Sequence, residues 1–98
     1  MVLLQDNCYV WSASFDCSIR LWRASDWSCL AVLTGHTHPV RSLEVTTDYV
    51  ITGDYRGFVM VWSKDDVWSE VTKFRKTQLG RKEAAQVKNP RKFYQNLV

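Results

Sequence analysis

The sequence has no Cys-x-x-Cys pair, no long apolar run, no basic-then-apolar leader at its start, and a single acidic residue beyond Phe74. Each lack excludes something. Cys8, Cys17 and Cys29 are odd in number and unpaired in spacing, which speaks against a disulfide framework and for a reducing, intracellular setting, cytoplasmic ahead of nuclear. Apolar runs of four or five residues are far shorter than the ~20 a membrane-crossing helix needs, so a soluble protein is expected. Beyond Phe74 seven Lys/Arg stand against one Glu, a net +6; set against +3 for all 98 residues, this leaves −3 on residues 1 to 74. Such asymmetry marks a boundary at Phe74.

What is present is apolar and repetitive. Hydrophobic residues make up 46% of the chain and aromatics 13%, five of them Trp, which excludes disorder of the whole. Residues 9 to 24 (YVWSASFDCSIRLWRA) align without a gap on residues 49 to 64 (YVITGDYRGFVMVWSK), an offset of 40. Tyr9 meets Tyr49, Ser12 meets Thr52 and Trp22 meets Trp62. A period of this length means one supersecondary unit used twice, with an apolar face made for stacking on neighbours.

Within each unit the β-forming residues come in short bursts separated by turns. Met1 to Gln5, Tyr9 to Ser14, Ser18 to Trp22 and Trp27 to Leu33 read as four strands; Val40 to Val45, Tyr49 to Gly53, Phe58 to Trp62 and Val67 to Phe74 repeat them. Gly57 suits a turn that demands positive φ, whereas its counterpart Cys17 predicts a turn of another form. Pro39 limits the backward extension of the strand it precedes. Between Arg81 and Lys88 two turns of helix are expected before Asn89-Pro90.

The pattern Gly35-His36, strand, strand closing on Thr52-Gly53, turn, strand closing on Trp62 resembles the WD40 repeat family over residues 1 to 74. The resemblance implies an all-β fold: two four-stranded antiparallel blades of a WD40-like propeller, followed by a basic, mostly irregular tail. Blade one would be residues 1–33, truncated at its start, blade two 34–74 and the tail 75–98, the chain forming the carboxy-terminal part of a larger propeller. It also implies a buried hydrogen-bond chain from Trp to Ser/Thr to His to a turn Asp. Trp62, Thr52 and His36 supply it in the second unit, where Arg56 holds the Asp position and Asp54, two residues earlier, is the candidate substitute; Trp22, Ser12 and Asp16 supply it in the first, which lacks the Gly-His. Neither unit completes the chain as written. Trp22-Arg23 and Trp62-Ser63 replace the usual closing Trp-Asp.

No reaction is expected. Ser12, Asp16 and His36 have the residue types of a triad but belong to the blade networks, and a triad is defined by geometry. Cys8, Cys17, Cys29, His36 and His38 lack the close pairs of a zinc site, and neither metal nor cofactor is expected. Trp22 and Trp62 recur at the period and read as core, while Trp27 and Trp68 fall in outer strands. The residues expected to meet a partner are those of the narrow face where family members often hold one: Phe15, His38, Arg41, Asp54, Tyr55 and Arg56.

The function expected is therefore a non-enzymatic scaffold for protein partners, with further blades or copies of itself as neighbours and no small-molecule substrate. One alternative is a regulatory piece of a larger adaptor or enzyme, such as a ubiquitin-ligase receptor or a kinase or GTPase regulator. Another is nucleic-acid or anionic-membrane binding through the basic tail, which the spaced charge pairs Arg75-Lys76, Arg81-Lys82 and Arg91-Lys92 disfavour. Two blades with bare edges predict aggregation or pairing with other chains.

Overall fold

A computed structural model describes residues 2–77 and 84–94. Seven strands follow the bursts in the sequence: β1 (Val2–Asp6), β2 (Tyr9–Ala13), β3 (Ile19–Arg23), β4 (Ser28–Leu33), β5 (Val40–Val45), β6 (Tyr49–Asp54) and β7 (Val59–Ser63). β1 to β4 form an antiparallel meander, Leu4 facing Trp11 and Trp11 facing Leu21. β5 to β7 form a second, with Val50 opposite Trp62 and Thr52 opposite Met60. The register preserves the offset of 40, since Val10 likewise faces Trp22. Two blade-like sheets of this kind are what the sequence implies.

The fourth strand of the second unit is not there. Residues Lys64–Thr77 form a helix, α1, which runs through Phe74 without a break. Ser63 accepts from the Asp66 amide through its hydroxyl (3.4 Å), and Asp65 and Asp66 sit in the first turn, where the positive end of the helix favours them. Val67 and Val71, one turn apart, are fully buried, and Trp68 and Phe74 pack beside them. That 3.6-residue spacing suits a helix lying on a core better than a strand.

The tail supplies strands instead. β8 (Ala85–Val87) pairs in parallel with β4, Val32 opposite Gln86, and β9 (Lys92–Tyr94) pairs antiparallel with β7, Met60 opposite Phe93. The first sheet thus has five strands in the order β1-β2-β3-β4-β8 and the second four, β5-β6-β7-β9. The expected helix over Arg81 to Lys88 gives way to strand at Ala85–Val87, its earlier residues 81–83 lying outside the described ones. Ala85 and Val87 are buried and Gln86 exposed, the alternation of a strand seated on a core. Of the sheet edges, β8 covers that of β4 and β9 that of β7, while β1 and β5 end their sheets.

One continuous core joins the two sheets, α1 and β8. Trp11, Ala13, Ile19 and Leu21 from the first sheet meet Leu43, Val50, Met60 and Trp62 from the second, with Val67 and Val71 of α1 and Ala85 and Val87 of the tail. At the opposite end of the sheets from the β2–β3 and β6–β7 turns, Lys64 Nζ donates to Asp6 Oδ2 at 2.7 Å and ties β1 to the start of α1.

Candidate functional site

Two arrangements stand at the end of the sheets where the β2–β3 and β6–β7 turns lie. The first is buried. The Trp62 indole N–H donates to Thr52 Oγ1 at 3.0 Å, and Thr52 Oγ1 lies 2.7 Å from His36 Nε2. His36 Nδ1 lies 2.9 Å from Asp54 Oδ2. A hydroxyl that accepts from the indole is free to donate its own proton to Nε2, which leaves the neutral ring its proton on Nδ1 for Asp54. Asp54 Oδ1 accepts in turn from the amides of Arg56 (2.9 Å) and Phe58 (3.1 Å). Burial raises the Asp54 pKa, and the hydrogen bonds from His36, Phe58 and Arg56 outweigh it, so the carboxyl is held below its ordinary 3.8.

Asp54 therefore fills the place that alignment with Asp16 gives to Arg56. It does not belong to the exposed partner-binding set, because its side chain is closed off from solvent, as is that of His36. Thr52, His36 and Asp54 are connected like a nucleophile, base and orienting acid. The hydroxyl is fully buried, however, and engaged by both Trp62 and His36 within the network. Gly35 makes the approach possible: a Cβ there would come 3.1 Å from Met60 Sδ and 3.5 Å from the Trp62 ring.

The first unit repeats only the first link, Trp22 donating to Ser12 Oγ at 2.9 Å. Asp16 is not in that network. It accepts from the Ser18 hydroxyl (2.6 Å) and amide (3.0 Å), which hold its pKa below the ordinary value, and faces Arg20 at 3.7 Å. Its turn has the same form as the other, contrary to expectation: Cys17 has φ 73° and Gly57 φ 93°. Cys17 N donates to Ser14 O just as Gly57 N donates to Asp54 O. Trp22 is half-buried where Trp62 is 1% exposed, because among the described residues no second sheet lies against the face it shares with Val10, Ser12 and Arg20. Trp27 also departs from expectation, standing in a turn at φ 56° and 62% exposed, while Trp68 rides on α1 against Tyr9.

The second arrangement is exposed. Phe15 at the tip of the β2–β3 turn and Tyr55 at the tip of the β6–β7 turn are 66% and 60% exposed. They stack nearly parallel, centroids 6.2 Å apart and planes at 9°. The Arg41 guanidinium lies 5.5 Å from the Tyr55 centroid, and Arg56 Nη1 donates to His38 Nε2 at 3.4 Å. Two backbone bonds fix the loops that carry these residues: Val40 N to Ser14 O at 3.3 Å and Tyr55 N to Pro39 O at 3.1 Å. Phe15, His38, Arg41, Tyr55 and Arg56 are thus gathered from both sheets onto one surface. What sequence reasoning missed is the Phe15–Tyr55 stack across the blades, although both sit one residue after equivalent turn positions, Ser14 and Asp54, and that equivalence was there to find.

Comparison with known proteins defines the class. The WD domain, G-beta repeat family matches residues 27–63, which begin one residue ahead of β4 and end with β7, so this chain carries a WD40 repeat in a β-propeller-like fold. Among particular relatives, mitochondrial division protein 1 of Neurospora crassa is 33% identical over 51 residues, 52% of this chain and 8% of that protein. WD repeat-containing protein 90 of Xenopus tropicalis is 39% identical over 51 residues, 48% of this chain and 3% of that protein. The chain thus spans a small part of the length of the curated relatives it matches. A computationally designed protein, Ika8, has the same fold over 62% of this chain and 19% of its own, with a TM-score of 0.58 at 24% identity. WD40 repeats are in general non-enzymatic modules for protein–protein interaction.

Proposed function

We propose that this chain is a non-enzymatic docking platform for a protein partner, and that the partner seats on the surface built by Phe15, His38, Arg41, Tyr55 and Arg56. The observation that carries the reading is the exposed Phe15–Tyr55 stack with Arg41 beside it. Aromatic and Arg side chains on a firmly held surface are the usual anchors of interfaces, because rigid rings bury much area at little cost in conformational freedom and a guanidinium offers a planar fork of donors. A lone chain gains nothing by leaving both rings in water.

The relatives' far greater length supports a further step in the same reading, in which the platform serves within a larger propeller-containing protein. Capture from cell extract on the immobilised chain, with bound proteins read by mass spectrometry, tests the surface. The wild-type chain retains a defined set that a Phe15→Ala/Tyr55→Ala variant loses while its circular dichroism stays unchanged. An identical set on the variant removes this surface from the proposal.

A further inference from the structure

We infer that the partner segment received by this surface is acidic, a stretch of protein carrying Asp or Glu beside an apolar side chain; this rests on the docking reading above and names its chemistry. The inference comes from where the positive charges of residues 2–74 find their partners. Arg20 faces Asp16 at 3.7 Å, Arg23 faces Asp26 at 3.8 Å, Lys64 faces Asp6 at 2.7 Å and Lys73 faces Glu70 at 3.7 Å. Of the lysines and arginines in residues 2–74, Arg41 and Arg56 are the two that form no ion pair with a carboxylate among the described residues. They are also the two that flank the aromatic stack.

The acids that adjoin the two stacked rings in sequence, Asp16 beside Phe15 and Asp54 beside Tyr55, are committed elsewhere. Asp16 is held by Ser18 and Arg20, and Asp54 is buried against His36 and two amides. The unit carries net −3 over residues 1 to 74, yet this surface presents two guanidiniums that none of those acids pairs with. Arg41 lies on Tyr55 and Arg56 on His38, contacts that pre-position each planar fork without using up its charge. An incoming carboxylate takes up such a fork through paired N–H donors, and an apolar neighbour covers the exposed rings. Lys88, Arg91 and Lys92 do not compete for the same role: Arg91 grips Asp66 through bonds of 3.1 and 3.2 Å, and its companions stand on the tail at the sheets' outer rim.

Fluorescence anisotropy with the full chain and a labelled decapeptide alternating Glu and Leu tests this. Its Gln-for-Glu and Lys-for-Glu versions and a labelled oligo-dT strand serve as comparisons. The Glu peptide binds in preference to the others, its affinity falls with added salt, and Arg41→Ala and Arg56→Ala each weaken it about three- to fivefold. Lys92→Ala leaves it unchanged, and unaltered thermal midpoints of the Arg variants show that the fold is intact. Equal binding of the Gln peptide, or indifference to both Arg variants, overturns the acidic preference; if Phe15→Ala/Tyr55→Ala still abolishes binding, the docking surface itself stands. Tighter binding of oligo-dT overturns the assignment in favour of nucleic acid.

Discussion

Thr52 accepts one hydrogen bond and has one to give, so removing its hydroxyl strands two buried groups at once. Thr52→Val should cost about 2–3 kcal/mol in urea unfolding, while Ser12→Ala, which releases only the half-buried Trp22 indole, should cost about 1 kcal/mol or less. Asp54 adds a pH dependence. Its folded pKa is lowered, so its contribution is complete above the ordinary carboxylate range near 4 and is lost as pH falls through the folded value. The gap in unfolding midpoint between wild type and Asp54→Asn should therefore be full at neutral pH and close in acid. Cys17 holds a left-handed conformation at φ 73° that Gly57 adopts freely, so Cys17→Gly should raise stability by about 0.5–1 kcal/mol in the same assay. At this scale the sequence was legible where one residue type has one use: Trp62 with Thr52 and His36. It was half legible at Asp54, because a one-to-one alignment with Asp16 placed the acid at Arg56 and left Asp54 only as a substitute two residues earlier. The two turns share a backbone shape while their carboxylates leave from different positions.

Elements were legible as far as they repeat. β1 to β7 lie within a residue or two of the β-branched bursts, since a half-buried strand needs alternation and turns bound it. The helix was legible too, but by a different period. Val67, Val71 and Phe74 stand four and three apart behind Ser63 and two Asp, a helix start and stripe that extrapolating the repeat obscured. Val67→Ala should cost about 2 kcal/mol by urea unfolding, because a fully buried methyl pair leaves a gap between α1 and the sheets. A true outer strand at this place would tolerate the change according to its face instead. β8 and β9 were not legible at all. Each has three residues, and nothing in AQV or KFY names its partner strand; only the edges they cover do so.

At the scale of the molecule, Arg20 and Met60 occupy equivalent positions on equivalent faces, and the difference reports surroundings. Met60 is buried against the first sheet, whereas Arg20 reaches Asp16 at the surface. The two units are thus alike in path and unlike in neighbours, as a repeat with one internal stacking surface must be. The tail then secures the outer rim of both. Removing residues 84–98 should bare the β4 and β7 edges, and light scattering after gel filtration should show self-association at concentrations where the full chain does not associate. The same arrangement sets an order in time. β4 ends at Leu33 and its covering strand begins at Ala85, so a ribosome adding roughly 5–20 residues each second leaves that edge open for several seconds while the chain between is made. Birth of the protein thus includes an interval in which a chaperone, or the edge of another nascent chain, has first access to a strand that the finished molecule keeps for itself.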